Sequence, residues 1–456
     1  MASLASGVRE VRLTKTAAMS KYALAATCLD GIDFKSKKNR RGGAPIRLYL
    51  EADVQAAAVT RHGTVAEALK EADARAAKRT VNASKRALAQ KESGVADAKR
   101  ALRDIDSSSA AAPSASSGVR GRLPVFLAER TRVVNDVADL TASGGPGARV
   151  VYIMQTALRV DENPALLTAR CLASQLGTSL MVLVTLVTSE APSWWSTERR
   201  LVFALEGVRD VAVALSATRD VDFHLYLDHG EGLTPVLAIV QGASVVVTED
   251  MPLPPHSYWT QTVGAAVNVP VLAVDSHCIV PQHSAEARRS FSRAYSFRSA
   301  CADIRNKAIH QGALSSLFLG LAQGLDEKAS GASPASAALI PSSAGPELSF
   351  RDMAPFLVET GPEHGTVDDM AVRTAVLHAL EGVVCVDRSV PAVTQLRGGS
   401  RWAEGRWRHY CQSGGLRDYG SVRNQPTRVN GVSRLSAYSH WGMISPFRVA
   451  SEAKVT

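Results

Sequence analysis

The chain has 456 residues, long enough for two or three domains that each bury a core of their own. Hydrophobic residues make up 46% and charged residues 21%, an ordinary globular balance, and no apolar run approaches the roughly 20 residues that span a bilayer. The formal net charge of +9 is uneven: residues 1–120 hold 22 Lys/Arg against 12 Asp/Glu, residues 121–456 hold 30 against 31, and 401–448 alone holds eight arginines against two acids.

Two basic regions flanking a neutral-to-acidic body point to a polyanionic partner, with a merely solvated basic arm as the alternative. The first zone, residues 1–105, opens on a Ser/Ala-rich stretch without the apolar core of a secretory signal, which leaves a weak organelle transit peptide open. Its second half, Thr64 to Arg103, is rich in Ala, Lys, Arg and Glu, lacks proline and has Gly94 as its sole glycine. That composition predicts a long helix without a strong apolar stripe, exposed or lying on a partner. A Ser/Ala linker follows over 106–120.

Residues 121–290 alternate short apolar runs with helical stretches. The runs Arg149–Met154, Ser179–Val187, Val221–Leu227, Ser244–Glu249 and Val269–Asp275 are near-continuous in Val, Leu and Ile, as expected of strands covered on both faces. Helical segments at about 164–176, 197–217, 232–241 and 258–267 separate them, so the predicted architecture is α/β, a doubly wound parallel sheet. Residues 310–347 are Ala/Ser/Gly/Pro-rich and read as a flexible insertion. The last zone, 348–456, reads as helical and carries Trp402, Trp407 and Trp441. The six cysteines are scattered and form no CxxC pair, which argues against a metal site or a disulfide framework and for a reducing compartment.

Three groups of residues carry candidate chemistry. In the loop after the first strand, Arg159 can pair with Asp161, while Asn163-Pro164 offers an N-cap followed by proline in the first helical turn. Asp275 and His277 suit acid/base work, or else simply close a strand. The third group is Tyr419 to Ser445, YGSVRNQPTRVNGVSRLSAYSHWGMIS. Its Val432-Ser433-Arg434-Leu435-Ser436 run ahead of a helix would offer unpaired N–H groups, two hydroxyls and a guanidinium to a phosphate, although a plain helix cap accounts for SRLS alone.

Taken in order, Tyr419, Arg423, Pro426, Val432 to Ser436, His440 and Gly442 resemble the flavin-phosphate loop of the photolyase/cryptochrome family, particularly the class II DNA photolyases. The motifs Val150–Gln155 with Leu158–Leu166, Phe203–Gly207, Gly242–Asp250, Val274–Pro281 and Arg293–Arg298 resemble the same family's α/β domain and its exit. The departures are Ile153 for a usual Trp, Thr156-Ala157 for Arg-Asp, and Val432 for Thr. The resemblance implies that Tyr419, Val432, Ser433, Arg434, Leu435 and Ser436 hold FAD and that Arg423 reaches the DNA backbone. On that reading Asp275 and His277 are a structural strand end, and an antenna pigment is left unassigned. It also implies that 348–456 begins a helical FAD-binding domain that continues for about 200 further residues past Thr456.

In the first zone, Leu13–Ala17, Lys21–Leu24, Lys37–Asn39 and Pro45–Leu50, followed by the basic helix, resemble the C-terminal DNA-binding half of the xeroderma pigmentosum group A family. That resemblance implies a small basic α+β module without its zinc site, with Lys15, Lys21, Lys37, Lys38, Arg40, Arg41 and Arg47 on phosphates. Together the resemblances imply light-driven reversal of cyclobutane pyrimidine dimers in damaged DNA by a photo-lyase, with no metal and no catalytic nucleophile. The alternatives are a non-catalytic DNA-damage-binding or blue-light-signalling relative, or an incomplete gene model. A nucleus is the expected location, with chloroplast or mitochondrion as alternatives.

Overall fold

The computed structural model describes residues 12–37, 46–78, 119–135, 149–310 and 369–455, less a few positions within those spans. The linker at 106–118, most of the insertion at 310–347, and Lys38, Arg40 and Arg41 lie outside the described residues. So does the predicted long helix beyond residue 78. The chain divides into two units, Met1–Ala89 and Gln90–Thr456.

In the first unit, β1 (Arg12–Thr14), β2 (Phe34–Lys37) and β3 (Ile46–Leu50) form an antiparallel sheet in the order β1-β3-β2. Helices α1 (Lys15–Lys21) and α2 (Glu51–His62) and a third helix, α3, over 65–75 accompany it. Thr14 caps α1 by accepting the Ala17 amide, and Thr64 caps α3 by accepting that of Glu67. Ala18, Tyr22, Leu29, Tyr49, Val54, Ala58 and Ala68 close a small core. Few large apolar side chains contribute, so this unit has little margin against mutation.

The second unit is built on six strands: β4 (Thr131–Val133), β5 (Arg149–Met154), β6 (Leu180–Leu186), β7 (Val221–Leu227), β8 (Ala243–Glu249) and β9 (Val271–Val274). Their order is β4-β9-β8-β5-β6-β7. The five expected strands are all present and parallel; a sixth, β4, adds an antiparallel edge against β9. Every residue of β6 and β8 is buried, as their unbroken apolar runs require. At the other edge, β7 alternates Asp222 and His224 with apolar residues, and Asp222 pairs with Arg149 at 3.2 Å.

The crossover helices are α5 (Pro164–Leu176), α6 (Glu198–Ser216), α7 (Thr234–Val240) and α8 (His256–Ala266), with a short α4 (Val125–Ala128) before β4. After β9 come α9 (Ala294–Ala300) and α10 (Ala302–His310). Then follow α11 (Asp369–Leu380), α12 (Ser400–Gln412), α13 (Gly415–Val422), α14 (Ser436–His440) and α15 (Pro446–Val455). Val372, Val376, Trp407, Tyr438 and Phe447 from these later helices, with Trp441 and Met443 from the turn between α14 and α15, join the same hydrophobic core as the sheet. The tie is also ionic: Glu206 on α6 accepts Arg373 of α11 at 2.9 and 3.1 Å and the Gly398 amide at 2.6 Å.

Candidate functional site

The chain winds from β5 outward to β7, then returns to the other side of β5 with β8, so the switch point lies between the carboxyl ends of β5 and β8. Open α/β sheets bind ligands at such points. Here the ends are tied by a buried carboxylate. Glu249 accepts the Tyr152 hydroxyl at 2.7 Å and the amides of Gln155 and Ala157 at 2.9 and 3.2 Å, while burial holds its pKa above the ordinary range. Asn163 donates to the Tyr152 hydroxyl and accepts the amides of Ala165 and Leu166, so it caps α5 as its position ahead of Pro164 suggested.

Arg159 does not pair with Asp161 as expected. Its guanidinium is buried and donates to three carbonyls, those of Gly442, Glu162 and Ser276. Asp161 lies exposed near Arg448 instead, at 3.8 Å. Burial lowers the Arg159 pKa to about 10, which leaves it charged at neutral pH. The segment 441–445 thereby seats on the switch point: Leu158 donates its amide to Trp441, and the Cα of Gly442 (φ +59°) stands where a Cβ would meet the Thr156 carbonyl oxygen at 2.5 Å. Only glycine fits that backbone.

Beside this seat Trp195, His256, Trp259, His440 and Trp441 form one aromatic cluster, with the Arg200 guanidinium 4.2 Å from the Trp195 ring. Burial, then His440 and Arg200, lower His256 to about 3, so it is neutral and donates its Nδ1–H to the Gln155 side-chain oxygen at 2.8 Å. A cavity of about 220 Å³ opens next to the cluster between α6, α11 and α14, and a smaller one of about 80 Å³ lies between Asp210 and Ser445. Asp275 accepts the amides of His277, Cys278 and Gln282, and His277, lowered to about 3 by burial and Arg159, meets the Thr156 hydroxyl at 2.9 Å. Three amides on one carboxylate tie the loop after β9 to the strand end, which suits a structural role for this pair.

The flavin-phosphate residues fall in two places. Tyr419 lies on α13, substantially exposed, with the Arg423 guanidinium 5.6 Å from its ring. Val432 to Leu435 form the loop into α14, with Arg434 at φ +55° and Leu435 buried. The amides of 432–435 and the hydroxyls of Ser433 and Ser436 have no partner among the described residues. Such a loop fits a diphosphate. Neither of these two cavities is lined by Tyr419 or by 432–436.

Among the residues expected on DNA, Lys15 is the first residue of α1 and is half-buried. Lys21 is engaged by Glu51 at 2.5 Å, which also accepts the Tyr22 hydroxyl. Lys37 ends β2, and Arg47 stacks at 4.6 Å over the exposed Phe34 ring. No group of three or more metal-ligating side chains occurs among the described residues. Sequence reasoning missed Glu249, Glu206 and Arg200. The one signal was an acid or base inside an otherwise apolar stretch, as at Glu206 in the middle of α6.

Residues 150–311 match the family model described as DNA photolyase. The deoxyribodipyrimidine photo-lyase of Oryza sativa subsp. japonica is 28% identical over 335 residues, 71% of this chain and 55% of that protein. The namesake from Methanothermobacter thermautotrophicus is 30% identical over 166 residues, covering 36% of this chain and 35% of the relative. That of Potorous tridactylus is 34% identical over 134 residues, covering 29% and 24%. The chain thus spans about half the length, or less, of these curated relatives. A cryptochrome from Synechocystis sp. PCC6803 aligns with a TM-score of 0.42 and 14% identity, covering 67% of this chain and 55% of that one.

Proposed function

We propose that this chain, a member of the photolyase/cryptochrome family through its α/β domain, carries part of a class II-like deoxyribodipyrimidine photo-lyase that reverses cyclobutane pyrimidine dimers in DNA. The observation that supports this most is the seating of 441–445, the end of the 419–445 motif. The family-matching sheet receives Trp441 and Gly442 at its switch point, a few residues after the 432–436 loop.

Reduced flavin, when bound, supplies the electron that splits the dimer. The chain's own contribution is binding and orientation. The amides of 432–435 and the hydroxyls of Ser433 and Ser436 would hold the diphosphate, and Arg434 would add charge. Tyr419 would face the flavin, and Arg423 a DNA phosphate. The basic first unit would add sequence-independent affinity through Lys15, Lys37 and Arg47. A nuclear location suits that partner.

The substantial exposure of Tyr419 favours a second reading, a non-catalytic DNA-binding relative. Absorption between 350 and 500 nm after reconstitution with FAD separates the two. A protein-bound flavin band followed by light-dependent loss of dimers from an irradiated oligonucleotide supports the enzyme. A folded sample that retains no flavin leaves the DNA-binding reading.

A further inference from the structure

The stretch from Ala287 to Ala300, ARRSFSRAYSFRSA, interleaves Arg288, Arg289, Arg293 and Arg298 with three aromatic residues and holds no acid. It contains α9, which buries none of its residues. Tyr295 is 65% exposed and Phe297 41%, although aromatic rings are the side chains a fold gains most by burying. Phe291 and Phe297 meet edge to face at 5.5 Å, and the Arg289 guanidinium lies 5.7 Å from the Phe291 ring. None of the four arginines has a carboxylate partner among the described residues. The core of this unit does not draw on the segment. Among the described residues its charges and the rings of Tyr295 and Phe297 are therefore left facing outward.

We propose that residues 287–300 bind single-stranded nucleic acid, with the guanidiniums on phosphates and the rings of Phe291, Tyr295 and Phe297 against unpaired bases. Charge selects a polyanion, since four cations within eleven residues repel a second copy of the same segment and any other basic surface. The rings then select among polyanions. An acidic polypeptide meets the charge but offers nothing to stack, and a duplex keeps its base faces covered, whereas a single strand presents phosphate and π-face alternately. The site is separate from the flavin and DNA residues of the preceding reading and operates in the dark without flavin, so failure of that reading leaves it untouched.

The test is fluorescence anisotropy of a labelled oligothymidylate of about 20 nucleotides with the full chain, without flavin, from about 50 to 200 mM salt. Tyr295→Ala is expected to weaken binding at least about five-fold while changing affinity for the matching duplex less than about two-fold. Arg293→Gln with Arg298→Gln is expected to reduce the log–log salt slope by about 1.4, or about 0.7 for each single-strand phosphate no longer neutralised. Tyr295 is exposed, so an unchanged urea midpoint should accompany its replacement. Unchanged oligothymidylate affinity in Tyr295→Ala, or equal losses for strand and duplex, overturns the proposal. Equally effective competition by polyglutamate at matched charge also overturns it.

Discussion

The guanidinium of Arg159 donates to the carbonyl oxygen of Gly442 across 283 residues of sequence, at 2.9 Å. With the Leu158 amide on Trp441, this bond joins the first central strand to the far end of the chain. Because the same guanidinium also holds the carbonyls of Glu162 and Ser276, it sets three loops in one geometry. Replacing Arg159 by Met should cost about 2–4 kcal/mol, since each buried acceptor left unpaired costs about 1–3 kcal/mol and some relax toward water. Urea unfolding followed by tryptophan fluorescence reads it, and a loss under about 1 kcal/mol would show that the carbonyls find other donors.

Gly442→Ala and Gly177→Ala form a controlled pair. Both positions have positive φ, +59° and +62°, so both should lose about 1–2 kcal/mol from left-handed strain. At Gly177 an added Cβ meets nothing within 4 Å, whereas at Gly442 it meets backbone atoms of Thr156 and Ala157 at 2.5 and 2.8 Å. The Gly442 variant should therefore lose at least about 1 kcal/mol more than the Gly177 variant. Equal losses would mean that the 441–445 segment lifts off without consequence.

Glu206→Gln removes the charge that the buried Arg373 and the half-buried Arg397 share. Arg373 would be left desolvated beside a neutral amide, at a cost of about 3–5 kcal/mol. Adding Arg373→Met should restore part of that loss, because the stranded cation goes with its partner. A double variant less stable than Glu206→Gln would locate the effect in packing instead.

Stability should fall with acidity through His256. Its folded pKa is depressed to about 3 by burial, below about 6.5 in the unfolded chain, so the unfolded state takes up the proton first. The penalty is absent above about pH 6.5 and accumulates as pH falls toward 3, at up to about 1.4 kcal/mol per unit. Glu249 works in the opposite sense, since its raised pKa favours the folded state at low pH and that contribution fades as pH rises. Urea midpoints at pH 7.5 and pH 5 should differ less in His256→Gln than in the unaltered chain; an unchanged difference assigns the acid sensitivity elsewhere.

Val432→Thr should tighten FAD by about two- to ten-fold, the range of one added neutral hydrogen bond, if the 432–436 loop holds the diphosphate. Titration of FAD fluorescence quenching gives the ratio directly, and identical affinities would move the phosphates off this loop.

The sheet was legible because β5, β6, β8 and β9 are apolar on both faces and bounded by turn residues. β4 was not, since three residues, Thr131 to Val133, carry no period and take their strand identity from pairing with β9. Asn163-Pro164 announced its cap locally. Arg159 was legible only as a possible partner of Asp161; its burial and its true partners were not, because Gly442 and Ser276 arrive from distant sequence and offer carbonyls, which every residue carries. The loop at 432–436 was legible as a motif, whereas the exposure of Tyr419 depends on what packs against α13 and has no local signature.

The seat of Trp441 and Gly442 on the first strand's loop also sets an order of events during synthesis. The last strand of the sheet, β9, is complete at Val274, yet its carboxyl edge is covered only when Trp441 emerges about 165 residues later. At about 5–20 residues per second the nascent sheet waits roughly 10–30 s with Trp195 lacking its Trp441 neighbour, an interval in which a chaperone would find that ring.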